Sequence, residues 1–304
     1  MTGTPAPDAM AAWGGYRDDL VNRRLSPRTI TAYRHALMGF WDHVSKRRGR
    51  LWWQATPRDL DGFLDRGLSD NTRANLSHAV LLFYRWATQE RLISRNPLAK
   101  ATAVRQPEPI PRALELAQVA DLLEVVAGDE RMTLMVLLAY GAGLRVGEIA
   151  GARVEDVRLQ HRPVIVIRKG KGGRSRVIPL APLIRDYLTV HLADRPRTGP
   201  LVEARHPDGR ATGRHVSASW VSKLLGRAMR EAGLRDSGHS LRHTFATTLL
   251  EQGKGTNLRA VSRMLGHAQT SVTERFYTAS YNEDAYQTAA LLPDPRQPLR
   301  RTRR

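Results

Sequence analysis

Gln106-Pro-Glu-Pro-Ile-Pro111 puts three prolines into six residues and has no apolar periodicity, so no regular helix or strand is expected to run through it. The stretch divides a chain of 304 residues, already longer than a single domain usually is. An interdomain linker is expected at 99–112, with one domain over 9–98, a second over 113–292 and a basic, disordered tail over 293–304.

Before the linker the pattern is helical. Ser26-Pro27 supplies a cap and a first-turn proline ahead of an amphipathic stretch from Thr29 to about Val44. Further helices open near Pro57 and at Asp70, the latter carrying Leu76, Val80, Phe83, Tyr84 and Ala87 at helical spacing. A small bundle closed by Asn96-Pro97 follows. Beyond the linker, helical patterns cover about 114–127 and 130–142, and Val164-Ile-Val-Ile167 and Arg176-Val-Ile178 read as short strands. Lys169-Gly-Lys-Gly-Gly-Arg174 between them is a basic hairpin tip. From Ala181 the pattern is helical again, broken by a loop at about 195–214. The expected fold class is mainly α with a small β-sheet: a helical bundle followed by a mixed α/β domain.

Charge narrows the partner. Lys and Arg total 48 against 29 acidic residues, a net charge of +19. Arginine usage can reflect base composition of a genome, but such bias does not create a surplus over acids, so a polyanion and specifically nucleic acid is indicated. With no cysteine in the chain, disulfides, thiolate nucleophiles and Cys-ligated zinc are excluded. MTGTPAPDAM lacks the basic and apolar regions of a signal peptide, and no apolar run approaches about 18 residues, so a soluble, intracellular protein is expected.

Several motifs have a dull reading beside a chemical one. Gly141-Ala-Gly143-Leu-Arg-Val-Gly147 resembles a dinucleotide loop, but a helix rather than a strand precedes it, so a cofactor is rejected. The glycines instead allow a helix to stop and restart, presenting Arg145 with Glu148 placed to orient it; a plain surface ion pair is the alternative. The Lys171 hairpin lacks a Walker pattern, which argues against an NTPase, and is either a solvated turn or a flexible lysine able to enter a groove and donate a proton. His239 and His243 mimic a zinc pair, yet Ser240 stands where a metalloprotease needs Glu. The spacing of His239 and Arg242 sets a proton carrier beside a phosphate ligand. His267 follows Leu265-Gly266, where a helix would end. Tyr277 is the one group here able to bond covalently to phosphorus, or else a packed aromatic like Tyr281 and Tyr286.

Taken together these residues resemble the tyrosine recombinases, the phage integrase family, from about 10 to 290. The resemblance rests on Gly143-Leu-Arg145-Val-Gly-Glu148, the Lys171 hairpin ending in Val177-Ile-Pro-Leu180, His239-x-x-Arg242-His-Thr-Phe-Ala, Leu265-Gly-His267 and Tyr277-Thr278. The first half looks like the family's core-binding (SAM-like) bundle through Leu25-Ser-Pro-Arg-Thr29, Tyr33 and Asn96-Pro97. One departure stands out: many members place the nucleophile nine residues after the Leu-Gly-His histidine, where this chain has Phe276, and Tyr277 lies one further on.

The resemblance implies metal-free and ATP-free strand exchange. Tyr277 is expected to be the nucleophile with Tyr281 a remote backup, Arg145 and Arg242 the phosphate clamp, His239 the base, Lys171 the acid and His267 a further phosphate donor, with Glu148 supporting Arg145. It also implies two domains that clamp duplex DNA from opposite faces, a tetramer on paired sites, and a cytoplasmic, nucleoid-associated location. Residues after about 282, with Ala285, Ala289, Leu291 and Leu292, are the candidate segment for docking on a neighbouring subunit, a helix packed in cis being the alternative. An accessory directionality factor or a paired recombinase is compatible with the reading. The bundle begins within about ten residues of the first, which points to a compact, simple-site enzyme. Mobile-element integration and chromosome-dimer resolution are not separated by these residues. Two rival readings share the features: relaxation of supercoils by a type IB topoisomerase-like activity, and a DNA-binding protein whose nucleophile is misplaced.

Overall fold

The computed structural model describes residues 8–105, 113–168, 175–235, 237–252, 258–266 and 278–297, with the backbone alone at 47, 48 and 278–283. The chain divides into two compact units, Met1–Pro109 and Ile110–Arg304.

In the first unit, short polar side chains start the helices. α1 (Ala9–Asn22) is capped by Asp8, whose Oδ1 accepts from the Met10 N–H at 2.6 Å. α2 (Pro27–Arg48) is capped by Ser26, whose Oγ accepts from the Thr29 N–H at 3.1 Å, with the proline in the first turn as anticipated. α3 (Pro57–Leu64) begins in a Thr56–Asp59 capping box, and α4 (Asp70–Gln89) behind Ser69. The faces these helices turn inward are strongly aromatic. Tyr16, Phe40, Phe63, Phe83 and Tyr84 are buried, joined by Trp41 and the Trp52 of a short 3₁₀ turn. Their rings meet edge to face, at 5.4 Å for Tyr16–Phe83 and Phe40–Phe63 and 5.0 Å for Trp41–Phe83, contacts that add about 0.5–1.5 kcal/mol each beyond area burial. The Tyr84 hydroxyl donates to the Trp52 carbonyl at 2.6 Å, which satisfies the polar end of a buried ring.

The second unit is organised about a helix that is apolar all round, the pattern of a buried central element. This is α6 (Glu130–Gly141), in which every residue from Leu134 to Tyr140 is buried. Around it pack α5 (Leu116–Val126), α7 (Val146–Gly151), α8 (Pro182–His191), α9 (Ala218–Glu231) and α10 (Gly238–Glu251), followed in sequence by α11 (Leu258–Leu265) and α12 (Thr278–Ala290). The entry to the unit is pinned to α10: the Leu114 N–H donates to Thr244 Oγ1 at 2.8 Å, and that hydroxyl donates to the Ser240 carbonyl.

A three-stranded antiparallel sheet has the order β1 (Val157–Arg158), β2 (Val164–Ile167), β3 (Arg176–Pro179). β2 and β3 pair Ile165 with Ile178 and Ile167 with Arg176, so Arg176 shares a face with the buried Ile178.

Three differences from the sequence reading have physical causes. The expected loop at 195–214 contains a two-stranded antiparallel sheet, β4 (Glu203–Arg205) and β5 (Ala211–His215), whose residues are largely exposed and so lack apolar alternation. Residues 293–297 are tied down rather than loose. Pro293 O accepts from the Tyr140 hydroxyl at 3.0 Å, and Asp294 pairs with Arg296. Finally, Ala285, Ala289 and Leu292 are buried against the chain's own core, where α12 meets α11 and β3. That is the cis arrangement, and it leaves those side chains covered within the chain itself.

Candidate active site

A turn between α6 and α7 presents the first functional side chain. Gly143 takes a left-handed φ of +62°, and a Cβ there would lie 2.6 Å from the ring of Phe245, so both conformation and space demand glycine. The turn leaves Arg145 extended at the cap of α7. Glu148, one turn on, binds back to it twice: the Arg145 N–H donates to Oε2 at 2.8 Å and Arg145 Nη1 donates to Oε1 at 3.1 Å. With its side chain 4% exposed, Glu148 is not part of a surface ion pair.

α10 supplies the second arginine. Arg242 is buried, donating through Nη1 to the Gly143 carbonyl at 2.5 Å and through Nη2 to the Leu265 carbonyl at the end of α11. Its Nη1 also lies 3.7 Å from Glu148 Oε2. Burial, then the neighbouring Arg145, pull its pKa down to about 9, which leaves it a cation at neutral pH.

Arg176 was read from sequence only as part of a strand, and its role at this centre was missed. It donates Nη1 and Nη2 to the two Glu148 oxygens at 2.7 and 2.8 Å, and Nε to the Met264 carbonyl at 2.7 Å. One carboxylate is thereby surrounded by Arg145, Arg176 and Arg242. Burial pushes the Glu148 carboxyl up, but the Arg176 hydrogen bonds, the Arg145 backbone N–H and the charges of Arg176 and Arg242 outweigh it, and the pKa falls below the usual range. Three cations against one anion leave the cluster net positive and suited to an oxyanion.

His239 sits in the first turn of α10, its N–H donating to Ser237 Oγ at 3.3 Å, with the side chain exposed. Its ring packs edge-on to His243, with centroids 4.6 Å apart. Partial desolvation, then His243, Arg242 and Arg145, lower the His239 pKa; desolvation and Arg242 lower that of His243. The shift favours the neutral His239 imidazole, the form able to accept a proton. Among the described residues no group of three or more His, Cys, Asp or Glu could hold a metal ion.

The structure thus gathers Arg145, Glu148, His239 and Arg242 from distant parts of the sequence. Lys171, His267 and Tyr277 lie outside the described residues, and so does the side chain of Tyr281.

Comparison with known proteins shows the family. The phage integrase family matches residues 112–284, and the phage integrase N-terminal SAM-like domain matches 15–91. Tyrosine recombinase XerC of Rhodospirillum centenum is 31% identical over 93% of this chain and 87% of its own length. Tyrosine recombinase XerA of Thermococcus kodakarensis is 37% identical over 88% and 91%. A lambda integrase dimer bound to a COC′ core site has the same fold at 18% identity, with a TM-score of 0.67 over 88% of this chain and 97% of that one. The chain belongs to the phage integrase family and is a tyrosine-type site-specific DNA recombinase. Among the described residues no helix is long and apolar enough to cross a membrane.

Proposed function

We propose that this recombinase cuts and rejoins duplex DNA through a 3′-phosphotyrosine formed on Tyr277. His239 takes the phenolic proton as the Tyr277 oxygen attacks the scissile phosphorus. The bond from phosphorus to the 5′-oxygen breaks, and Lys171 protonates the departing oxygen to a 5′-hydroxyl. A 5′-hydroxyl from a partner duplex then attacks the phosphotyrosine and restores the diester. Arg145 and Arg242 hold the nonbridging oxygens, and His267 adds a further hydrogen bond. Removing one such positioned donor typically costs about 10²–10³ in rate. Because the diester energy is kept in the tyrosyl bond, the cycle uses neither ATP nor a metal ion.

The observation that carries this reading is the convergence of Arg145 and Arg242 on the buried Glu148, beside a His239 whose pKa is lowered. Such a centre holds a phosphate while leaving a neutral base at its edge. The working assembly on this reading is a tetramer on two specific sites in nucleoid DNA. Residues 9–98 serve as the core-binding domain and 113–292 as the catalytic domain, joined by 99–112.

The test is covalent trapping in EDTA on a nicked duplex carrying a site selected from random DNA by the protein itself. Wild type should give a protein–DNA adduct on a denaturing gel, and Tyr277→Phe none. Binding without an adduct in wild type would refute the chemistry, and an adduct surviving in the variant would move the nucleophile to Tyr281.

A further inference from the structure

Arg176 has no role in the mechanism above, yet it makes the most complete set of contacts at the centre. Its side chain is 9% exposed, and all three guanidinium nitrogens are engaged. Two of them form a parallel fork on Glu148, the geometry that only arginine offers a carboxylate. The third takes the Met264 carbonyl, while Arg242 takes the next one, Leu265. Carbonyls in the last turn of a helix have no intrahelical partner and favour cations, so the end of α11 is clamped by two guanidiniums. Both of those guanidiniums also contact Glu148.

Gly266 completes the joint. It has a φ of +66°, and a Cβ there would stand 3.2 Å from Arg176 Cδ and 3.3 Å from Nε and Nη1. The backbone leaving α11 therefore lies close against the arginine stem. Arg176 is also the first residue of β3, directly after the segment that contains Lys171. One side chain thus joins the start of β3, the carboxylate that orients Arg145, and the helix end from which the chain continues toward His267 and Tyr277.

We propose that Arg176 is a positioning residue for strand cleavage: through Glu148 it fixes the Arg145 and Arg242 clamp, and through Met264 it fixes the end of α11 relative to that clamp. This inference rests on the functional reading above. Arg176 itself touches no reacting atom. Lysine cannot replace it fully, because one ammonium cannot span both Glu148 oxygens and the Met264 carbonyl at once.

The test uses the full chain as wild type, Arg176→Lys, Arg176→Ala, Glu148→Gln and the Arg176→Ala/Glu148→Gln double variant. Three quantities are measured: the single-turnover rate of adduct formation at saturating protein on the selected nicked duplex, the affinity for that duplex, and amide hydrogen exchange over 258–266. Arg176→Ala should slow adduct formation by about 10²-fold, the scale of a misplacement of about 1 Å at a reacting centre, with duplex affinity little changed. Arg176→Lys should recover part of the rate, exchange over 258–266 should quicken in both variants, and the double variant should be no slower than the worse single one. Wild-type rates in Arg176→Ala would overturn the inference, as would a rate loss explained entirely by weaker binding. If Arg176→Ala does not fold, Arg176→Lys decides, and wild-type cleavage with wild-type exchange would sink the proposal. A wild type that forms no adduct, while Arg176→Lys still loosens α11, would refute the tyrosyl chemistry and leave the joint standing.

Discussion

Replacing Gly143 with alanine tests how tightly the turn under Arg145 is built. An L-residue in the left-handed region costs about 1–2 kcal/mol. The added methyl would stand 2.6 Å from Cδ1 and 2.9 Å from Cε1 of Phe245, a fully buried ring that cannot swing away. Overpacking of this kind costs about 1–3 kcal/mol, and the lower entropy of the unfolded alanine chain returns about 0.4–1 kcal/mol. The net expectation is a loss of about 1–4.6 kcal/mol, or about 0.5–2.3 M in the urea midpoint at a slope near 2 kcal/mol per M. Unfolding followed by far-ultraviolet circular dichroism measures it. Gly147→Ala is the internal control: that position lies in α7 and a Cβ there meets nothing within 4 Å, so the variant should be neutral or up to about 1 kcal/mol more stable. Function should suffer as well, because the Gly143 carbonyl is an acceptor for Arg242. A Gly143→Ala protein with an unchanged midpoint and normal adduct formation would refute the packing argument.

Thr244→Val removes the acceptor of the Leu114 N–H and should cost about 1–3 kcal/mol by leaving that group buried without a partner; an unchanged urea midpoint would contradict the pinning of 114 to α10. Adduct formation should be flat from about neutrality to about pH 8, fall on the acid side below about 6.5 because the lowered pKa of His239 favours its base form, and fall again on the alkaline side as Arg242, pulled down to about 9, loses its charge; an acid limb centred above about 7 would exclude His239 as the base. The same depression makes the fold lose stability as pH falls through the unfolded histidine value, since the unfolded chain then binds a proton that the folded one resists.

The helices of the first unit were legible because their start signals are local: Ser26-Pro27, Pro57 and Asp70 mark helix starts that the backbone obeys, and Val80, Phe83, Tyr84 and Ala87 fall inside. β4 and β5 were not, because strands with almost no buried residue carry no alternation to read. Glu148 could be paired with Arg145 from spacing alone, but its other partners come from 28 and 94 residues away in sequence. A signal for Arg176 did exist. Counting back by two from Ile178 puts it on the strand face that turns inward, and an inward arginine requires a buried anion. The depth of Arg242 had no such signal, because the carbonyls it meets belong to a turn and a helix end that only the folded chain brings near.

The aromatic interior of the first unit also makes the chain optically lopsided. Of its six tryptophans, Trp13, Trp41, Trp52, Trp53 and Trp86 all belong to that unit. Trp220 alone belongs to the second, half-buried under the Arg131 guanidinium at 5.3 Å. Intrinsic fluorescence therefore watches the bundle and is nearly blind to the half that carries Arg145 and Arg242. With Trp220→Phe the separation becomes complete. Emission and circular dichroism recorded on one sample then tell which half lets go first, without a dye, a label or a truncated chain.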